Sequence, residues 1–412
     1  MAGRRGPVAI TAAVFAVGMA ALAVPPAAAS PHSPAKPRVT ASPHTSASPH
    51  STVSPPAGPQ DATQGGAQLA STGIVVNPLS HSTPRLPRLK VDAFVVANAG
   101  TGQVLAARDA HGWFRPASTL KVLTALALIP VLNPNASTVA SRQAADTEPN
   151  DAGLVAGRSY QISSLFQALL TISANDAAVA LTQATGSFSK GMALINAEAH
   201  ELQADDTVAV QPNGLDAAGQ HESAYDEALI ARQALASPTF LGYDRTLSAR
   251  FEVKPKHWET LINQDQLLTD YPGDIGGKLG WTTAASGTFM AMARRNGVTL
   301  IVTILHCPPG EQFAYATKLL SWGFAASAKV RPVGTLVSPL PPAPPPAPKK
   351  RAAHTVKHVT TRPVADSASS AATPVAVGVG FLVLASLIVA AFVARHRRAL
   401  APAAKSRKLL SR

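Results

Sequence analysis

Apolar and polar residues alternate in short runs near both ends of a long central segment, and this alternation predicts paired β-strands. Residues 93–99 and 103–107 flank the turn Gly100-Thr101-Gly102, and residues 287–294 and 298–306 flank Asn296-Gly297. A turn sequence of this kind between two alternating runs is typical of a β-hairpin. We therefore expect one hairpin at each end of the segment.

Longer apolar runs lie between the two hairpins. Residues 118–129 are apolar on nearly every face and are followed by Pro130, which indicates a buried helix that ends there. Residues 163–172 and 176–184 predict two further helices joined at Ser173-Ala174-Asn175. Strands at both ends with helices between them predict an α+β fold in which the terminal strands share an antiparallel sheet flanked by helices.

The N-terminus carries an apolar run of another kind. Residues 8–24 are apolar, follow Arg4 and Arg5, and precede the small residues 27–29. This order predicts a secretory signal peptide over residues 1–29. An uncleaved membrane anchor is the alternative, because the run has the length of a short span.

The C-terminus predicts a membrane attachment. Residues 373–394 are apolar and contain no charge, and residues 395–412 hold seven Lys or Arg and no acid. We expect a transmembrane helix followed by a basic cytoplasmic tail, because Lys and Arg residues next to a membrane span usually stay on the cytoplasmic side of the membrane. The chain is thus expected to cross the cell membrane once, with its folded domain extracellular.

Composition divides the remaining sequence into folded and unfolded parts. Residues 30–84 are rich in Ser, Pro and His and predict a disordered segment, because they cannot bury enough apolar surface to offset chain entropy. Residues 337–372 predict a Pro-rich linker. The folded domain is therefore expected over residues 85–336.

Charge and cysteine content exclude some functions. The whole chain has a formal charge of +13, yet residues 85–336 hold 20 Lys or Arg against 21 Asp or Glu. The basic excess lies in the termini and the linker, so no nucleic-acid partner is expected. A single cysteine, Cys307, excludes an intramolecular disulfide, and we expect it to be a small buried residue.

Candidate chemistry begins with a serine and a lysine at the start of the predicted buried helix. A serine hydroxyl becomes a nucleophile when a neighbouring base removes its proton. Ser118 and Lys121 are three residues apart, close enough on one helical face to hydrogen-bond, and burial would favour the neutral amine. Ser33/Lys36 and Ser187/Lys190 share the spacing but lack a buried helix behind them, so the context selects Ser118.

Two further elements strengthen this interpretation. Ser173-Ala174-Asn175 is the only Ser-x-Asn sequence in the chain, and Lys278-Leu279-Gly280 is the only Lys-x-Gly sequence. The first lies in a turn between predicted helices and the second precedes the terminal hairpin, so both could border one cleft. Their order and separations match the serine acyl-transfer enzymes that recognise penicillin.

The segment from about residue 88 to residue 333 resembles the D-alanyl-D-alanine carboxypeptidase family, the low-molecular-mass penicillin-binding proteins. Four blocks in family order carry the resemblance, at residues 116–121, 173–178, 212–216 and 276–282. It implies the β-lactamase/DD-peptidase-like fold, which is an antiparallel sheet flanked by helices with a mostly helical subdomain.

The resemblance also implies a reaction and a set of roles. A serine-type D-Ala-D-Ala carboxypeptidase would trim peptidoglycan stem peptides through an acyl-enzyme on Ser118, and β-lactams would inhibit it by acylating the same residue. Lys121 would be the general base, and Ser173 would relay a proton to the leaving amine. The implied substrate-binding residues are Asn175, Lys278, Gly280 and Thr282. Backbone N–H groups of Ser118 and Thr282 would form the oxyanion hole, and no metal or cofactor is implied.

Two positions depart from the family pattern. Leu279 replaces a Thr, which removes a hydroxyl expected near the substrate carboxylate, although Thr282 or Thr283 could replace it. Asn263-Gln264-Asp265 stands where the family has Asn-x-Asn. Two alternatives remain open: a catalytically weak homologue that binds cell-wall peptides, and a β-lactamase with the same nucleophile. A Ser-His-Asp hydrolase is disfavoured because no Gly-x-Ser-x-Gly sequence occurs.

Overall fold

The computed structural model describes residues 63–341. The predicted signal peptide, transmembrane helix and basic tail, and nearly all of the predicted linker, lie outside the described residues. Between residues 63 and 341, no helix is both long and apolar enough to cross a membrane.

The strands of the described region are β1 (Ile74–Pro78), β2 (Ala93–Asn98), β3 (Gln103–Arg108), β4 (Ser137–Val139), β5 (Ser159–Gln161), β6 (Ser248–Lys254), β7 (His257–Ile262), β8 (Asp274–Thr282), β9 (Ser286–Arg295), β10 (Val298–Cys307), β11 (Val330–Arg331) and β12 (Gly334–Thr335).

The α-helices of the same region are α1 (Lys121–Leu128), α2 (Arg142–Ala145), α3 (Ile162–Thr171), α4 (Asn175–Ala184), α5 (Phe188–Glu201), α6 (Ala224–Ala236), α7 (Pro238–Asp244), α8 (Leu267–Asp270) and α9 (Gln312–Ala326), with 3₁₀ turns at Ala67–Ala70 and Ala117–Leu120.

One antiparallel sheet of eight strands organises this region. Its order is β11-β1-β3-β2-β10-β9-β8, and β12 pairs with β3. The two predicted hairpins, β2–β3 and β9–β10, are both present, and β10 joins them by pairing with β2. The expectation that strands from both ends share a sheet is thus confirmed, and strand β8 forms one edge of it.

Helices cover both faces of the sheet, which explains why its central strands are apolar at almost every position. Val95 and Ala97 of β2 face a core shared with α1, α3, α4 and α6. Their neighbours Phe94 and Val96 face a second core, which α9 covers with Leu319 and other apolar residues. Because successive side chains point to opposite faces, a strand between two helical layers is apolar throughout.

Most of the helices lie between β3 and β6, as expected for a mostly helical subdomain. The predicted buried helix is present, but its first residues form the 3₁₀ turn Ala117–Leu120 and only then continue as α1. All eight residues of α1 are buried. The two helices predicted on either side of residue 174 are α3 and α4.

The predicted boundary of the folded domain at residue 85 is wrong. Strand β1 lies in the segment that was expected to be disordered, where it pairs with β3 and β11. Upstream of it, Leu69 is buried in the first core. The Ser- and Pro-rich composition conceals the short apolar run Ile74-Val75-Val76, which supplies a sheet strand. The folded region also extends past residue 336, since the Leu340 N–H donates to the Glu201 carbonyl over 2.7 Å.

Candidate active site

The 3₁₀ turn Ala117–Leu120 holds the predicted nucleophile against the edge of the sheet. Ser118 lies in this turn, between strand β8 and the N-terminus of α1. The Pro116 carbonyl accepts hydrogen bonds from the Thr119 hydroxyl over 2.7 Å and from the Thr288 hydroxyl of β9 over 2.8 Å. The turn is therefore fixed both to itself and to the sheet, and Ser118 has a defined position.

Lys121 is fully buried and its amine makes three short contacts. The Nζ atom lies 2.7 Å from Ser118 Oγ, 2.7 Å from Asn175 Oδ1 and 2.6 Å from the Asn213 carbonyl oxygen. A neutral amine has two N–H groups and one lone pair. The amide and carbonyl oxygens can only accept, so they take the two N–H groups, and the lone pair is left for the Ser118 hydroxyl. This is the arrangement that a general base requires.

Burial and a neighbouring charge both favour the neutral form of Lys121. Desolvation lowers the pKa of Lys121 well below its ordinary value, and the charge of Lys278 lowers it further, while Asp176 opposes the shift. A buried ammonium without a carboxylate partner is costly, so the proton leaves more easily. The lysine therefore gives up its own proton more readily than an exposed lysine and is better able to accept the Ser118 proton.

The turn between α3 and α4 supplies Ser173 and Asn175. Ser173 has a φ of 63°, a left-handed conformation that is uncommon for serine and is often found at functional sites. Asn175 begins α4, and its side-chain N–H donates to the Glu148 carbonyl over 2.8 Å. That bond orients the amide oxygen of Asn175 towards Lys121. The amide therefore positions the base directly.

Asp176 fixes the segment that lines the cleft beside Asn175. Its buried carboxylate accepts backbone N–H groups from Ala152, Leu154 and Ala177 over 2.7–3.0 Å. The carboxylate also lies in the first turn of α4, where negative charge is favourable. Asp176 thus holds residues 152–154 against the turn that carries Ser173.

Gly214 allows the backbone at Asn213 to approach the nucleophile. Its φ is +81°, and a Cβ built there would lie 1.7 Å from the Ala117 carbonyl oxygen and 3.2 Å from Ser118 N. Only glycine fits this position. The Pro-Asn-Gly sequence at residues 212–214 belongs to a family block, but the sequence did not reveal that its Asn213 carbonyl accepts from Lys121.

Gly280 on strand β8 keeps the Ser118 N–H uncovered. A Cβ at residue 280 would lie 2.7 Å from Ser118 N and 2.3 Å from the Thr288 hydroxyl. The absence of a side chain leaves space at this N–H, which is what an oxyanion hole requires. Because β8 is the edge strand of the sheet, backbone N–H groups that are not paired with β9 can also face this space.

These elements enclose a cleft of about 430 Å³. It is lined by Ser118, Glu148, Pro149, Asn150, Ser173, Asn175, Gly214, Leu215, Asp216, Gln264, Leu279, Gly280, Trp281, Thr282 and Thr283. Five of the seven predicted site residues therefore line one cleft. The other two, Lys121 and Lys278, lie behind its wall.

Lys278 is placed differently from the expectation. It is 2% exposed, and its amine donates to the Leu279 carbonyl over 2.7 Å. Burial lowers the pKa of Lys278 to about 8, while the charges of Asp244 and Asp265 oppose the shift. Burial raises the pKa of Asp265 to about 6 and that of Asp244 well above its ordinary value. Lys278 is two residues before Gly280 on β8, so its buried side chain is on the face of the strand that meets Ser118, and it contributes its charge there.

Residues of the third block line the mouth of the cleft. The Thr282 hydroxyl donates to Asp216 over 3.0 Å and accepts from the Ala285 N–H over 2.9 Å, so its hydrogen bonds are largely used within the protein. Leu279 lines the cleft and also packs against the second core. Within residues 63–341 the Thr283 side chain makes no hydrogen bond, so Thr283 offers a free hydroxyl nearby.

The structure separates Ser118 from the other Ser-x-x-Lys match in the folded region. Ser187 caps helix α5, where its hydroxyl accepts the Lys190 N–H over 3.1 Å at an exposed position. The single cysteine is free and buried at the end of β10, as expected. Among residues 63–341, no group of His, Cys, Asp and Glu side chains is placed to hold a metal ion.

A serine next to a buried lysine, an open backbone N–H and a cleft at the edge of an antiparallel sheet define a serine acyl-transfer enzyme. The family model for D-alanyl-D-alanine carboxypeptidase matches residues 80–308. The chain belongs to this family and is a serine carboxypeptidase of this kind.

Similar proteins agree with the family. The D-alanyl-D-alanine carboxypeptidase DacB2 of Mycobacterium tuberculosis is 37% identical over 257 residues, covering 61% of this chain and 88% of that protein. A crystal structure of a D-alanyl-D-alanine carboxypeptidase from M. tuberculosis H37Rv superposes with a TM-score of 0.60 at 36% identity, covering 64% of this chain and all of the other. A Streptomyces K15 DD-transpeptidase variant gives a TM-score of 0.55 at 25% identity, covering 58% and 99%.

Gly214→Ala tests the close approach behind the nucleophile. Its Cβ would displace the Ala117 carbonyl and therefore Ser118, and a displacement of about 1 Å can lower a rate about 100-fold. We expect the rate at which penicillin acylates Ser118 to fall about 100-fold. This rate is measured by mass spectrometry of the acylated protein. Gly219→Ala is the matched control, because Gly219 has a φ of +82° and no atom within 4 Å of the added Cβ. Equal losses in both variants would show that backbone strain, and not the clash, is responsible.

Lys278→Met tests how Lys278 acts on the base. Removal of its charge raises the pKa of Lys121, so that more of the base is protonated in acid. We expect the rate of acylation by penicillin to fall more at pH 6 than at pH 9, with the acidic limb of the pH profile displaced upwards. Lys278→Arg keeps the charge and should displace this limb less. A loss of the same size at every pH would contradict an effect of Lys278 on the Lys121 pKa.

Proposed function

We propose that this enzyme removes the terminal D-alanine from peptidoglycan stem peptides through an acyl-enzyme on Ser118. The observation that carries the proposal is the position of the Lys121 amine, which lies 2.7 Å from Ser118 Oγ and also has two acceptors, Asn175 Oδ1 and the Asn213 carbonyl. In the neutral amine these two acceptors take the N–H groups, and the lone pair is left for the Ser118 hydroxyl. A base held in this way activates a serine without a histidine.

The reaction proceeds in two half-reactions. Lys121 takes the hydroxyl proton as Ser118 Oγ attacks the carbonyl between the two terminal D-alanines. The developing oxyanion is stabilised by the Ser118 N–H and by a backbone N–H of strand β8 near Thr282. Ser173 passes a proton to the leaving amine, D-alanine departs, and water then hydrolyses the Ser118 ester to release the shortened peptide.

Recognition of the substrate carboxylate is assigned to the β8 side of the cleft. Lys278 supplies positive charge from its buried position on the strand, and Thr283 supplies a hydroxyl at the mouth. Leu279 supplies no hydrogen bond at the position where the family has Thr. We propose that Thr283 replaces the missing hydroxyl, because the Thr282 hydroxyl already donates its one hydrogen to Asp216.

We further propose that the enzyme acts outside the cell membrane. The sequence supports this through the predicted signal peptide at residues 1–29 and the apolar run at residues 373–394, which is followed by seven Lys or Arg. The Pro-rich linker of residues 337–372 would tether the folded domain to the membrane. Substrate in the cell wall would then lie on the same side of the membrane as the cleft.

Two assays on the full chain test the catalytic proposal. Penicillin should add one adduct mass to Ser118, and a pentapeptide ending in D-Ala-D-Ala should release free D-alanine. Ser118→Ala should abolish the adduct and lower D-alanine release by several orders of magnitude, as expected for loss of a catalytic nucleophile. Ser187→Ala is the matched control, because it removes the serine of the second Ser-x-x-Lys sequence in the folded region and should retain both activities.

The alternatives give different results in the same assays. Penicillin labelling of Ser118 without release of D-alanine would favour a weak homologue that binds cell-wall peptides, which is the alternative suggested by Leu279. Rapid turnover of nitrocefin without a long-lived adduct would indicate a β-lactamase. Labelling that persists in Ser118→Ala would refute the assignment of the nucleophile.

A further inference from the structure

A second cleft lies at the opposite end of strand β8 from the catalytic cleft. It has a volume of about 450 Å³, and Ile275 at the start of the strand lines it, whereas residues 279–282 at the other end line the catalytic cleft. Four or more residues of extended strand separate the two, a distance of about 13 Å or more. The second cleft is lined by Ala99, Gly100, Arg232, Leu235, Ala236, Leu241, Arg245, Ile275, Arg294 and Thr299.

Three arginines and no acidic residue line this second cleft, which we call the arginine cleft. Arg232 donates to the carbonyls of Ala99 and Leu336, which fixes its guanidinium beside the cleft. Arg245 and Arg294 are exposed. In the described part of the chain, none of the three has a carboxylate within 4.0 Å. Asp274, next to Ile275 on β8, interacts with the charge of Arg245, but burial raises the pKa of Asp274 to about 8, so the arginine cleft keeps a net positive charge.

Some other arginines of the folded region have partners. Arg158 has Glu252 at 3.1 Å, and Arg295 lies over the Tyr271 ring with 4.1 Å between the guanidinium carbon and the ring centroid. The folded domain as a whole is close to neutral, so three arginines without an acid in one cleft mark a local feature. Guanidinium groups bind phosphate oxygens bidentately, which makes such a cluster suited to phosphate esters.

The floor of the arginine cleft is apolar. Leu235, Leu241 and Ile275 are half-buried there, between the arginines. A free inorganic ion would leave this apolar surface exposed to water, whereas a phosphate ester with an attached glycerol or acyl portion would cover it. The site therefore fits an amphipathic phosphate ester.

The position of the arginine cleft along the chain favours a membrane lipid over a wall polymer. Arg232 and Ala236 also line a neighbouring groove formed with residues 337–339, which are close to the end of the described chain. From Pro341, only 31 residues (342–372) precede the predicted membrane span. Because the arginine cleft adjoins the groove that contains residues 337–339, it lies near the point from which the chain leads to the predicted span.

We propose that the arginine cleft binds the headgroup of an anionic phospholipid, with the phosphate between Arg245 and Arg294 and the glycerol portion over Ile275. Such binding orients the domain on the membrane, in addition to any tether. It goes beyond the proposed catalytic function and does not depend on it, since the two clefts share no lining residue.

Vesicle co-sedimentation of a fragment of residues 63–341 tests this proposal without interference from the predicted span. The fragment contains both cores, and the solved M. tuberculosis relative, whose whole length is covered by 64% of this chain, shows that such a unit folds alone. We expect binding to phosphatidylglycerol/phosphatidylcholine vesicles and not to phosphatidylcholine alone. Arg245→Gln/Arg294→Gln should weaken this binding about 30-fold, as expected for two basic residues near an anionic surface.

The control removes two arginines elsewhere. Arg142→Gln/Arg331→Gln changes the net charge equally, in helix α2 and in strand β11 at the far edge of the sheet from β8. We expect it to retain binding within about twofold, and acylation by penicillin should remain in every variant as proof of folding. Equal weakening by both pairs, equal binding to both kinds of vesicle, or binding to soluble poly(glycerol phosphate) instead of the vesicles would overturn the proposal.

Discussion

The active site depends on one buried amine. Lys121 lies where its two N–H groups meet the Asn175 side chain and the Asn213 carbonyl, which leaves its lone pair for Ser118. Each of these partners comes from a different part of the chain: a 3₁₀ turn, the start of α4 and a loop before α6. Since a neutral lysine is stable only when water is excluded, the packing of α1 in the first core is part of the chemistry.

Two glycines and one edge strand complete the arrangement. Gly214 lets the loop contact the nucleophile turn, and Gly280 keeps the Ser118 N–H uncovered. A side chain at either position would clash with the turn that carries Ser118, so the shape of the cleft depends on these two glycines as well as on its functional groups. Lys278 acts from its buried position on β8, where its charge favours loss of the Lys121 proton.

Local patterns in the sequence predict some of these features and not others. The apolar run after Ser118 predicts α1, and alternation around Asn296-Gly297 predicts the β9–β10 hairpin, because both depend on residues close in sequence. Strand β1 is stabilised by pairing with β3 and β11, which are distant in sequence. The Ser- and Pro-rich sequence around β1 therefore did not predict a strand. The role of the Asn213 carbonyl could not be predicted, because a backbone oxygen leaves no signature in residue type. The burial of Lys278 likewise follows from the position of β8 in the sheet.

The protonation state of Lys121 can be measured directly by ¹⁵N NMR of lysine side chains, with the Lys121 resonance assigned by its loss in Lys121→Arg. At pH 8 the Nζ resonance should have the chemical shift of a neutral amine, while lysines exposed to solvent remain ammonium. It should change to the ammonium position as the pH falls, in parallel with the loss of Ser118 acylation by penicillin. A Lys121 resonance that remains at the ammonium position at pH 8, while acylation proceeds, would contradict its role as the base.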